Sequence, residues 1–216
     1  DGSGATEADA ISDEDVPTVG DIATTEDVED DSCPSAELIE AYPLNDSVSD
    51  GDVSVTGMNE TIASIDASAG GSQAAAGNPF VYVDLQGSAK VDITDLESLD
   101  DTEWDLAFRR TIIRTNSADS GPGGIELARL TGTTFEDVTA IPSPEPEFVV
   151  DATYDESCEV QTDPIFQPIT AFNLLNSDNP TGSGSWYSYG GTNGGVSPTE
   201  GHVYLVRDTA SGTVWK

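Results

Sequence analysis

The chain has 216 residues with 41 acidic side chains, seven basic ones and one histidine, a formal net charge of −34. That balance repels phosphate backbones and anionic headgroups, which argues against nucleic-acid or membrane-surface binding. The length supports one sizeable domain with an arm, or at most two small domains, and no run of 18 apolar residues supplies a transmembrane segment.

Twelve acids fall within Asp1–Ser32, and no basic residue precedes Lys90. Like-charge repulsion and sparse aliphatic residues leave too little apolar burial to offset ordering entropy, so 1–32 is expected to be a flexible acidic tether. The β domain is expected to cover 33–216. A start at Asp1 without Met suggests a mature form whose targeting segment has been removed, and hence an exported protein. Cys33 and Cys158 are the only cysteines, too few for a four-ligand zinc site. In an exported protein a disulfide is their expected use, and loop-closure entropy would make it worth about 4–5 kcal/mol. The alternative is two separate buried thiols.

Pro34–Tyr42 reads as a short helix with Ser35 as N-cap. Val48–Asp66 alternates loosely, giving one or two short exposed strands, and Met58 within it is either a gap-filler or a soft axial ligand. Phe80–Leu85 is a firmer strand with both faces buried, and Gly87-Ser88 turns it into a second strand, Ala89–Ile93. Asp95–Asp101 is a polar turn whose carboxylates lack the sharp glycine of a calcium loop. Trp104, Leu106 and Phe108 share one strand face. The phase then breaks at Arg109-Arg110, where a bulge or bend is expected. Asn116–Gly124 is a loop whose glycines, Gly121 and Gly123 among them, suit close backbone approach. Gly124–Leu130 returns as a strand. IPSPEPE is a proline-stiffened link, and Trp186–Tyr189, His202–Arg207 and Thr213–Lys216 close the chain as strands. This spacing of strands predicts an all-β fold, an antiparallel two-sheet sandwich or an open barrel-like sheet with one or two short helices.

Catalytic patterns are lacking. One histidine leaves most constellations without a base, no G-x-S-x-G elbow occurs, and GPGG at 121–124 is no dinucleotide fingerprint. No enzyme is expected. Arg109, Arg110 and Arg114 either grip a carboxylate ligand or pair with local acids such as Asp105, Glu103 or Asp119. Trp186, Tyr187, Tyr189 and Tyr204 are either ladder residues or the walls of an aromatic pocket. His202 is either an ordinary strand histidine or a ligand to a metal or haem iron.

Two segments carry a resemblance. WDLAFRRTIIRTNSADSGPGG at 104–124 resembles the W-D-(aliphatic)-A-F/I-x-R…R-T/L-N…S-G-x-G block of the HmuY family of secreted, lipid-anchored haem-binding proteins. WYSYGGTNGGVSPTEGHVYLVRDTASGTVWK at 186–216 resembles that family's closing W-Y-x-Y…V-x-P…V-Y block. The resemblance implies an all-β fold holding haem between loops, a lipid anchor preceding residue 1, and a place on the outer-membrane surface or outside the cell. It makes Trp104, Asp105, Arg109, Arg110, Arg114, Asn116, Gly121 and Gly123 a structural block. The candidate haem contacts are His202, Met58, Tyr187 and Tyr189, with His202 as the iron ligand. Well-known haem binders of the family use two histidines, whereas this chain has one. Ligation by His202 with Met58, by His202 alone, or across a homo-oligomer all stay open. The alternatives are a surface lipoprotein of the same fold that serves a protein partner without haem, and an acidic cation-binding or halotolerance protein.

Overall fold

The computed structural model describes residues 43–56, 61–68, 77–162, 169–175, 186–190 and 195–216. Contacts gather Ser32–Lys216 into one unit. Its first hairpin pairs β1 (Val53–Thr56) with β2 (Thr61–Ile65), both short and largely exposed, as the loose alternation of 48–66 suggests. A four-stranded antiparallel sheet follows, built from β3 (Val81–Asp84), β4 (Ala89–Val91), β5 (Leu106–Arg109) and β6 (Ile112–Thr115), in the order β4-β3-β5-β6. The chain then makes β7 (Ile125–Thr131), one helical turn α1 (Ala171–Leu174), and a hairpin of β8 (Tyr187–Gly190) and β9 (Gly195–Pro198). It ends in β10 (His202–Asp208) and β11 (Val214–Trp215), which join β7 in a second antiparallel sheet ordered β11-β10-β7. The architecture is an all-β sandwich, with no closed barrel among the described strands.

Period-two alternation decides which side chains meet. Leu106 and Ile113 from the first sheet face Ile125, Leu127 and Val206 from the second, and Ala171 and Phe172 of α1 close the same apolar layer. The opposite face of the first sheet buries Phe80, Tyr82 and Ala107 beneath Trp104 and Tyr154. The opposite face of the second sheet buries Ala128, Val203 and Leu205 under Val138, with Phe148 packed alongside. Phe80 through Val83 are therefore buried on both faces, each 0–1% exposed, as their unbroken apolar run predicts.

Three expectations require correction. The phase break at Arg109-Arg110 is a reversal of the chain rather than a bulge. Arg109 pairs with Ile112, so Arg110 and Thr111 form a two-residue hairpin connection, with Arg110 in the left-handed region at φ 53°. Trp104 does not continue the face of Leu106 and Phe108. It precedes β5 and packs with Ala107 on the other side of the sheet. The stretch between Trp186–Tyr189 and His202–Arg207, where no strand is expected above, contributes β9. The helix expected over 34–42, along with Cys33 and Met58, lies outside the described residues.

Candidate functional site

The arginines of the 104–124 block form a scaffold. Arg109 and Arg114 are 2% and 0% exposed and lie on the face shared with Phe80, Tyr82 and Trp104. The Arg109 guanidinium sits 4.1 Å from the Phe80 ring centre, and Arg114 sits 5.1 Å from Phe80 and 5.5 Å from Trp104. Arg109 Nη1 donates to Pro43 O at 2.7 Å and Asn78 O at 3.3 Å, and lies 4.0 Å from Asp95 Oδ2. Arg114 Nη2 donates to Ser120 O at 2.5 Å and Nη1 to Tyr82 Oη at 3.3 Å.

Asp95 is the acid that the local-pairing expectation overlooked. Fully buried, it accepts Phe80 N at 2.8 Å on Oδ1 and Asn45 N at 3.0 Å on Oδ2, and Tyr82 Oη lies 3.0 Å from Oδ1. Burial pushes the Tyr82 hydroxyl well above its ordinary range, so it stays a neutral donor in this network. Asp105 and Asp119, offered above as arginine partners, serve backbone amides of Leu85 at 2.6 Å and Tyr154 at 3.1 Å. Arg110 is exposed at the hairpin turn.

Asn116 completes this block. Its Nδ2 donates to Trp104 O at 2.8 Å and Asp101 O at 3.0 Å, and its Oδ1 accepts Gly123 N at 2.8 Å. A Cβ on Gly121 would stand 2.9 Å from Trp104 Cζ2, and one on Gly123 would stand 2.7 Å from Asn116 Cγ and O. The glycines are needed because the indole and the amide fill the space a side chain would occupy.

His202 lies elsewhere, at the start of β10 on the face that looks toward the first sheet. Its ring meets Tyr204 edge-on at 6.4 Å, and Tyr204 packs on Phe172 of α1 at 4.9 Å. The three line an open groove of about 470 Å³, together with Leu106, Trp215 and Lys216. Among the described residues buried His202 Nδ1 has no hydrogen-bond partner, so one imidazole nitrogen is desolvated without compensation there. Lys216 Nζ donates to Phe135 O at 2.6 Å and Val138 O at 2.8 Å, and brings a positive charge to the groove's rim. Tyr187 is buried beside Trp186, with ring centres 4.8 Å apart, and does not line this groove. Tyr189 lies in β8, and its side chain is outside the described set, like Met58.

A second, larger groove of about 770 Å³ is lined by Asp84, Glu103, Asp105, Asp208 and Lys90, with Trp215 as a wall common to both grooves. Burial pushes the Asp105 carboxyl up to about 6. The Leu85 amide opposes this, and the negative charges of Asp84 and Asp208 add to it. Among the described residues no group of three or more His, Cys, Asp or Glu side chains is placed to hold a metal ion.

Sequence reasoning missed two contributors to the His202 groove. Phe172 lies in a stretch for which no element is expected above, although Thr170 and Asn173 form a reciprocal capping box whose spacing was legible. Asp151, 1% exposed, sits behind α1. It accepts Ala171 N at 2.7 Å and Thr115 Oγ1 at 2.9 Å on Oδ1, and Thr115 N at 3.0 Å on Oδ2. Burial pushes its carboxyl above the ordinary range, and the hydrogen bonds from Ala171, Ser120 and Thr115 oppose that shift.

Comparison with known families gives one match. The family described as HmuY protein matches residues 77–216, which include the first sheet, the second sheet, α1 and the His202 groove. No curated protein matches the chain. The chain belongs to the HmuY family.

Proposed function

We propose that this protein is an exported, non-catalytic HmuY-family protein of the cell surface that binds a haem-type tetrapyrrole in the His202 groove. Family membership supports a haem-binding surface protein at family level. The observation that carries the reading to this chain is the placing of its one histidine. His202 lies among Tyr204, Phe172 and Trp215 in an apolar groove, with a buried nitrogen that lacks a partner. An apolar, aromatic-walled cleft with a few convergent polar groups suits a flat apolar ligand. Haem would supply a ferric centre that accepts an imidazole. His202 would ligate it, Tyr204 and Phe172 would contact the macrocycle, and Lys216 would face its carboxylates. With one histidine per chain, any second axial position is left to Met58, to another copy of the chain, or to solvent.

On this reading residues 1–32 are an acidic tether and 33–216 the binding domain of a lipid-anchored protein. Cys33 and Cys158, the chain's two cysteines, are the proposed disulfide pair. Peptide mapping without reductant should recover the two cysteines linked.

Haemin titration tests the function. Micromolar haemin should give a shifted Soret band, and His202→Ala should abolish or displace it. No spectral change with the unsubstituted protein would sink the haem reading. The second reading, a surface β domain that serves a protein partner without haem, would then stand, favoured by the single histidine.

A further inference from the structure

Behind the His202 groove lies a carboxylate that touches nothing in it. Asp151 holds α1 to β6, since its Oδ1 accepts the Ala171 amide and the Thr115 hydroxyl while Oδ2 accepts the Thr115 amide. Its described partners are uncharged donors, so hydrogen bonds alone satisfy this buried carboxyl. The next residue along α1 is Phe172, 7% exposed, and its ring packs at 4.9 Å on Tyr204, which meets His202 edge-on. A short chain of contacts therefore runs from Asp151 through the Ala171 amide and the Phe172 ring to the imidazole. A helix of four residues has little stability of its own, so tertiary contacts must place it.

We propose that Asp151 is a positioning residue for the groove, fixing the Phe172 wall and hence the access to His202 by holding the amide of Ala171. The ligand named for the groove rests on the haem reading, but the positioning role does not, and the test separates the two.

The single histidine gives a clean readout, because diethyl pyrocarbonate can modify only one imidazole in the chain. Modification of His202 would be followed by peptide mass in the unsubstituted protein, D151N, F172L, the double variant and T115V, all well below their Tm. D151N keeps the volume but turns one acceptor into a donor. It is expected to speed modification roughly tenfold, the factor one uncompensated buried hydrogen bond carries. F172L is expected to do the same, and the double variant should be no faster than F172L alone, because both changes act through one ring. T115V removes a donor to the same carboxylate but not the one from α1. It should lower Tm while leaving the His202 rate unchanged.

An unchanged rate in D151N, additive rates in the double variant, or an equal acceleration in T115V would each overturn the proposal. Should D151N fail to fold, exchange of the Ala171 amide in the unsubstituted protein decides it. Exchange as slow as that of the sheet amides supports the tie, and exchange at the free-chain rate overturns it. A parallel haemin titration reports on the ligand alone, so absence of a Soret shift with altered His202 rates removes haem and leaves Asp151 in its role.

Discussion

The two faces of the first sheet differ in which polar groups they bury. On the outer face Arg109, Arg114, Asp95 and Tyr82 are buried with Trp104 and Phe80, and each charge meets carbonyls, hydroxyls or an aromatic face. On the inner face the core is aliphatic and aromatic, yet at its His202 end it keeps a groove and a nitrogen without a partner. Buried charges held by several hydrogen bonds confer rigidity and a unique arrangement. The arginine-rich block marks the scaffold, and the sparsely charged groove is where the proposed site lies.

The strongest way to break this contrast is Trp104→Ala. It removes the indole that covers the outer face and whose Nε1 donates to Ser98 O at 3.1 Å, and should cost about 3–5 kcal/mol in denaturant unfolding. If the faces are as independent as described, haemin affinity at low temperature should change little. A parallel loss of affinity would show that the two faces act as one unit.

A smaller effect concerns pH. Asp105, at about 6, and the raised Asp151 both bind protons in the folded state at pH values where ordinary unfolded carboxylates have lost theirs. The stability each contributes is present in full below the unfolded range and is lost as pH rises through the folded pKa. Tm at fixed ionic strength should therefore rise by a few degrees, of order 1 kcal/mol or more, as pH falls from 7.5 to about 5. Asp105→Asn should flatten that profile, because its amide oxygen can still accept the Leu85 N–H. Glu97 and Asp208, held low by bonds from Thr94 and by bonds from Ser211 and Ala210, work the other way only at lower pH.

The smallest effect sharpens the account of the hairpin. Arg110 occupies a left-handed conformation that glycine adopts without a Cβ penalty. Arg110→Gly should leave the buried arginine network intact and stabilise the protein by up to about 1 kcal/mol. A loss of stability would mean that its side chain does more than cross the turn.

Much of the scaffold was legible from residue pattern, because alternation and glycine turns are local signals. The doubly buried strand at Phe80–Leu85 and the turn at Gly87-Ser88 follow directly from it. The β5–β6 hairpin was misread because its connection is Arg110-Thr111, not the Asn-Gly or Asp-Gly that such turns favour. Asp95 was invisible as a core residue because 41 acids give no hint which one lies buried. In the groove His202 and Tyr204 could be named from strand alternation, whereas Phe172 and Asp151 are joined to them only by tertiary packing. Thr170-x-x-Asn173 was the one local clue, masked by the polar and glycine-rich residues that follow it.

Trp215 separates the apolar groove from the carboxylate-lined one, and this has an optical consequence. One indole is a common reporter for two compartments of opposite polarity. A colourless apolar ligand in the apolar groove should shift its emission to the blue, haem there should quench it, and an ion entering the acidic side should alter its intensity. The buried Trp104 and the half-buried Trp186 supply the background against which either change is read.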